Sequence, residues 1–192
     1  QDHASGWVRD AAQRRLVETG GTEAIAPLTA ILKNAESAPL TRLHALWTLH
    51  GLGTLTPELQ RIAIKDSDPQ VRAAAYRTAT RDIVPDLITP GTEPHPLVQA
   101  HLAVKLSSLG MPDTDAALAR LLVVAGKNAL VREGALTGLR GRESAFAKTF
   151  AATEKNNLAP EVLESLASLV AMAGKAQPIG EMLALAAAQK PG

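Results

Sequence analysis

One short pattern recurs along these 192 residues at intervals of about thirty, and it restricts the possible folds more than any other feature. Its fullest copy is Asp66-Ser67-Asp68-Pro69-Gln70-Val71-Arg72-Ala73-Ala74-Ala75. Asp68 can cap a helix, because its carboxylate accepts hydrogen bonds from the first free N–H groups. Pro69 suits the first helical position, where its missing N–H costs nothing and its φ is already set. With Arg72 as the register mark, the equivalent positions are Arg9, Arg42, Gln99, Arg132 and Leu163, giving successive spacings of 33, 30, 27, 33 and 31 residues. Three residues after the mark stand Ala12, Ala45, Ala75, Leu102, Ala135 and Leu166; seven after it stand Leu16, Leu49, Ala79, Leu106, Leu139 and Val170. Offsets of −1, +3 and +7 lie near one face of a helix with 3.6 residues per turn. A helical face repeated at this period predicts a solenoid of five to six stacked hairpins, none of which buries its apolar stripe alone.

A second set of helices is expected between the marked ones. Thr22 to Lys33 follows the Gly20-Gly21 break, and Thr56-Pro57-Glu58-Leu59 reads as N-cap, proline and acidic first turn of a helix ending near Lys65. Further members run from Asp113-Thr114-Asp115 to Val124, from Ser144 to Lys155 and from Ile179 to Gln189. Asp82 to Ile88 contains Pro85 and should be stunted. Pro90 to Pro96 reads as a loop entering a helix from Leu97 to Leu109, which accounts for the short 27-residue spacing, and Gly174 to Pro178 as an interhelix turn. The expectation is an all-α chain of about 11–12 helices forming a single domain, 1–192. The repeat phase opens and closes in mid-hairpin, whereas solenoids need polar end caps, so a fragment of a larger multidomain protein is expected.

Composition narrows the chemistry. Hydrophobic residues make up 46% of the chain and aromatics only 3%, a core of Leu, Val, Ile and Ala that suits closely stacked helices. The near balance of 20 Lys and Arg against 19 Asp and Glu predicts no nucleic-acid or membrane-surface footprint. The absence of cysteine excludes disulfides, thiolate metal sites and cysteine nucleophiles within these residues. No apolar run approaches the length of a membrane span.

With its D-x-D-P-x-V-R-x-x-A pattern, the chain resembles the HEAT-repeat family across nearly its whole length. The resemblance implies a right-handed α–α superhelix, a HEAT-like or armadillo-type solenoid, with the marked helices lining its concave side. In that family an Asp in the turn and an Arg in the second helix form a ladder between neighbouring repeats. Asp66 or Asp68 with Arg72 matches this pattern; Arg9, Arg42 and Arg132 match only its Arg half, while Gln99 and Leu163 depart from it. The ladder is therefore expected to weaken towards the C-terminus. Gly6-Trp7-Val8-Arg9-Asp10-Ala11-Ala12-Gln13-Arg14 and Arg42 to Leu49 further resemble the HEAT segment of bacterial, planctomycete-type membrane-bound dehydrogenase-like proteins. There the segment stands between a β-propeller and a c-type cytochrome. That narrower resemblance implies an exported or periplasmic parent, a cytoplasmic one being the alternative, and it carries no catalytic residue onto this chain.

No arrangement of residues makes a catalytic or metal site in its own right. His44 and His101 share one repeat offset, but His44 and His50 are six apart and do not share a helical face as paired ligands would. Asp66 with Asp68 and Asp113 with Asp115 stand at helix starts, where capping accounts for them, and the Gly and Glu of a calcium loop are missing. No serine sits in a nucleophile elbow, and Gly51-Leu52-Gly53 follows no strand. Trp7 and Trp47 are expected to fill gaps at repeat junctions. The sharper alternative is an exposed anchor for a partner made by Trp47 with Arg42 and His44, and Arg72 and His101 are further candidates on the marked helices.

The expected function is a non-catalytic, monomeric scaffold or protein-interaction module without cofactor, whose partner is another protein or a neighbouring domain of the same chain. The alternative is the connecting segment of an exported propeller–HEAT–cytochrome c oxidoreductase with its redox chemistry elsewhere. A bilin lyase and a DNA glycosylase of HEAT type have no distinctive support in these residues, and the charge balance disfavours the second.

Overall fold

The computed structural model describes residues 5–88, 93–153 and 159–188. Lys155, Gln189 and residues 90–92, which belong to elements expected above, lie outside the described residues. Among the described residues every regular element is helical: twelve α-helices and two short 3₁₀ turns. The chain packs as two compact units, Gln1–Asp86 and Leu87–Gly192.

The first unit contains α1 (Gly6–Glu18), α2 (Ile25–Lys33), α3 (Pro39–Gly51), α4 (Pro57–Ala63) and α5 (Pro69–Thr78). Helix α3 packs on both α1 and α5, and α2 packs on both α3 and α4, so alternate helices form two adjacent rows. The stunted segment is a 3₁₀ turn, Arg81–Ile83, and α6 (Val84–Ile88), which crosses from the first unit into the second. The second unit continues with α7 (Pro96–Leu109), α8 (Pro112–Ala125), α9 (Ala129–Thr137), α10 (Glu143–Thr153), α11 (Pro160–Ala173) and α12 (Ala176–Ala188). There α9 lies along α7, while α10 packs on α8, α11 and α12.

Six helices begin on a proline: Pro39, Pro57, Pro69, Pro96, Pro112 and Pro160. Each occupies a position where no intrahelical N–H bond is lost. Asp68 accepts hydrogen bonds from Gln70 N and Val71 N at 2.8 and 3.2 Å, and Thr56 accepts from Leu59 N at 3.3 Å. The start expected at Asp113 instead has Met111 as its cap residue and Thr114 as its fastener; Thr114 Oγ1 accepts from Met111 N and donates to its carbonyl. Gly174 closes α11 with a left-handed φ of 65°, and α12 starts at Ala176 rather than after Pro178. Pro178 fits within its first turn, because the first N–H groups of a helix have no intrahelical acceptor to lose.

The apolar stripe is buried from the second mark onward. Val71, Val98, Val131 and Val162 are buried, as are Ala45, Ala75, Ala135, Leu166, Leu49, Leu106, Leu139 and Val170. Burying each Val or Leu side chain contributes about 1.5–3 kcal/mol. The first mark departs from this: Val8, Ala12 and Leu16 are only half-covered, and α1 has no buried residue. Close stacking in the second unit needs glycine. A Cβ on Gly134 would lie 2.8 Å from the Ala100 carbonyl oxygen, and one on Gly138 would lie 2.6 Å from the Ser107 backbone.

At four of the six marks the side chain has the same job. Arg72 Nη1 donates to the carbonyls of Asp66 and Ser67, and Arg132 Nη1 donates to those of Gly126 and Lys127. Gln99 Nε2 does the same to the Glu93 carbonyl at 2.7 Å. Arg42 Nη1 donates to the carbonyls of Ala35 and Ser37. Each long donor reaches back five to seven residues to satisfy carbonyls of the turn that precedes its own helix, which backbone pairing leaves exposed.

Candidate functional site

Arg42 and Asp66 form the most enclosed ion pair of the first unit among the described residues. Nε and Nη2 of Arg42, on α3, each donate to an Asp66 oxygen at 2.7 Å, and their side chains are 3% and 8% exposed. The fork geometry of the guanidinium matches the carboxylate. Asp66, the stronger influence, holds the Arg42 pKa above its ordinary value against the opposing pull of burial. The second Asp66 contact, from Asp68 N at 2.8 Å, shapes the start of α5.

This placement corrects two expectations. Arg42 is 2% exposed and cannot serve as a surface anchor. The side-chain pair across hairpins joins Asp66 to Arg42, not to Arg72, whose Nη1 binds backbone carbonyls, while Asp68 caps. Capping therefore does not fully account for Asp66. Asp115 likewise pairs across hairpins: Arg142 Nη1 reaches its Oδ2 at 2.7 Å, and Arg142 Nη2 donates to the Ser107 carbonyl.

His44 sits between α3 and α1 with 11% of its side chain exposed. Its Nδ1 is 3.0 Å from Gln13 Oε1, and its Nε2 accepts from Arg9 Nε at 3.3 Å. An amide oxygen only accepts, so Nδ1 carries the proton and the ring is neutral in this arrangement. Burial is the main cause lowering the His44 pKa; Arg9 acts in the same direction, and Asp10, with an oxygen 4.0 Å from Nδ1, opposes it.

Trp47, three residues on, is half-buried. The Arg77 guanidinium carbon lies 5.1 Å from its ring centroid, and the His50 ring meets it edge-on at 6.0 Å and 75°. Beside it opens a groove of about 630 Å³ lined by Asp10, Gln13, Arg14, Val17, Glu18, Trp47, His50 and Gly51. Arg14, Trp47 and Arg77 all stand five residues after their marks, on α1, α3 and α5. Neighbouring marked helices thus present an Arg–Trp–Arg row with both arginines exposed. These groups suit recognition of a surface carrying carboxylates and an apolar contact for the indole.

The candidate residues Arg42, His44, Trp47 and Arg72 belong to the first unit, and His101 is half-buried on α7 of the second. Trp7, expected in a junction gap, is 78% exposed. In the sequence Arg14, beside Arg15, reads as a solvated basic spot and Arg77 carries no local signal; their shared offset of +5 from the marks is what links them to Trp47. Among the described residues no three His, Asp or Glu side chains converge as a metal site would require, and no helix is long and apolar enough to cross a membrane. The chain matches no family profile, no curated protein and no solved structure.

Proposed function

We propose that this chain is a non-catalytic helical-repeat scaffold of HEAT type, holding a partner protein or a neighbouring domain through the groove beside Trp47. The observation that carries this reading is the Arg14–Trp47–Arg77 row, which sets a partly exposed indole between two exposed cations at one repeat offset. Tryptophan and arginine are enriched among the residues that dominate binding energy at protein interfaces, and here both stand on helices. The partner surface would place carboxylates against Arg14 and Arg77 and an apolar side chain against the indole.

The test is site-specific photocrosslinking from Glu18, at the exposed rim of the groove, in the producing cell. A discrete adduct, identified by mass spectrometry and lost in both Arg14→Glu and Trp47→Ala, is the expected result. Arg14 is exposed, so the first variant leaves the fold intact. No adduct from Glu18, or an adduct indifferent to Arg14→Glu, overturns the reading.

A further inference from the structure

The groove beside Trp47 is built from two helices, and one of them is loosely held. Gln13, Arg14 and Val17 of α1 line one side; Trp47, His50 and Gly51 of α3 line the other. The groove therefore exists only while α1 lies on α3. Helix α1 has no buried residue, so the apolar contribution to its seat is small. Val17 settles against Gly51, where a Cβ would come within 2.7 Å of a valine methyl. A polar contact adds to this: His44, 11% exposed, joins Arg9 and Gln13 of α1 through its two ring nitrogens.

Arg9 Nε can only donate, so Nε2 of His44 must offer a lone pair and the proton must sit on Nδ1, facing Gln13 Oε1. That arrangement exists only for the neutral ring. We infer that α1 is an acid-released gate on this groove: protonating His44 frees α1 from α3 and takes apart the surface that, on the scaffold reading above, holds the partner. With both nitrogens protonated, the 3.3 Å contact with Arg9 sets N–H against N–H and cation against cation. Asp10 opposes this from 4.0 Å, but it is 71% exposed, and water screens its pull. Among the described residues Arg9 and Asp10 are the charged groups that act on the ring; α2 and α5, which also pack on α3, bring none. Thermodynamic linkage has the same sign. Burial is the main cause lowering the His44 pKa, so release restores it and proton uptake drives release. The rest of the first unit need not open, because α2, α3, α4 and α5 each bury side chains.

The test is hydrogen–deuterium exchange of the whole chain at pH 7.5 and 5, with rates corrected for the intrinsic effect of pH. Amides of α1 should be less protected than those of α5 at pH 7.5, which marks local opening, and should lose protection severalfold at pH 5. In His44→Gln the protection of α1 should not change with pH, because glutamine does not titrate. His50→Gln, which removes the other imidazole of α3, should keep the parent's response. Acrylamide quenching of Trp47, isolated by Trp7→Phe at a 78% exposed site, should rise over the same range as the groove comes apart. The inference is overturned if α1 is as protected as α5, if its protection is the same at both pH values, or if His44→Gln responds like the parent. Constant Trp47 quenching while α1 opens would overturn it too, and a response lost in His50→Gln would move the switch to that ring. None of these measurements needs a partner, so an absent adduct from Glu18 and a pH-silent α1 are separate failures.

Discussion

Of the arginine–aspartate pairs that join successive hairpins, Arg42–Asp66 in the first unit and Arg142–Asp115 in the second differ in direction, depth and origin. In the first unit Arg42 comes from the body of α3 and reaches forward to Asp66 in a later turn, 24 residues on. In the second, Arg142 follows Gly141 in a turn and reaches back 27 residues to Asp115 near the start of α8. The first pair is 3% and 8% exposed; in the second, Arg142 is 32% and Asp115 18% exposed. Both Asp66 oxygens are held by Arg42, whereas Asp115 Oδ1 has no hydrogen-bond partner among the described residues. Cross-hairpin ionic contact is therefore a solution reached at different sequence positions, while the job tied to the mark is the backbone clamp. The clamp asks only for a long donor, which is why Gln99 performs it. The bridge asks for a paired charge at depth, which only some registers supply.

The largest expected effect tests depth. Arg42→Met should destabilise the first unit by about 3–5 kcal/mol in urea unfolding, because Asp66 is left buried without its counter-charge. Adding Asp66→Leu should recover much of the loss, since replacing a buried pair with apolar groups is often neutral. If the single and double variants are equally unstable, the pair is not the source. Arg142→Met should cost less, about 1–3 kcal/mol, because water reaches the more exposed Asp115 pair. A loss equal to that of Arg42→Met would erase the contrast between the units.

A smaller effect separates clamp from bridge. Arg72→Gln should stay within about 1 kcal/mol of the parent, while Arg72→Leu should cost about 1–2 kcal/mol by stranding the turn carbonyls. Equal losses in the two would show that charge, not donor reach, matters at the mark.

The smallest expected effect concerns α1. Arg9 and Asp10 are the charged groups of α1 that face His44. A histidine whose folded pKa is lowered binds its proton less readily in the fold than in the unfolded chain, so its contribution is complete above about pH 6.5. That contribution is lost as pH falls below the unfolded value towards the folded one. Protonation also removes the Nε2 acceptor that Arg9 uses. Urea midpoints should therefore drop between pH 7.5 and 5 in the parent more than in His44→Gln. Parallel pH profiles would sink this assignment.

Much of the helix inventory was legible because its signals are local. Asp68-Pro69 and Thr56-Pro57 start helices where expected, and the stripe at offsets −1, +3 and +7 is buried in α3, α5, α7, α9 and α11. The exception is α1, whose stripe is half-covered, and nothing in Val8, Ala12 or Leu16 distinguishes them from their buried counterparts. Of the site, Trp47 and His44 were picked out by residue type. Arg14 and Arg77 were not, because an exposed arginine on a helix looks like ordinary surface until a neighbouring ring gives it something to cover.

What the residues determined by themselves was the run of helices and the face each one turns inward, since caps and periodicity act within about one turn of the chain. Tertiary structure decided which charge meets which. Arg42 was matched with Asp66 and withdrawn from the surface, and Trp47 was set against Arg77, by stacking that unites residues 24 and 30 positions apart. At that range the fate of a side chain depends on how its neighbours pack, and no local preference encodes it.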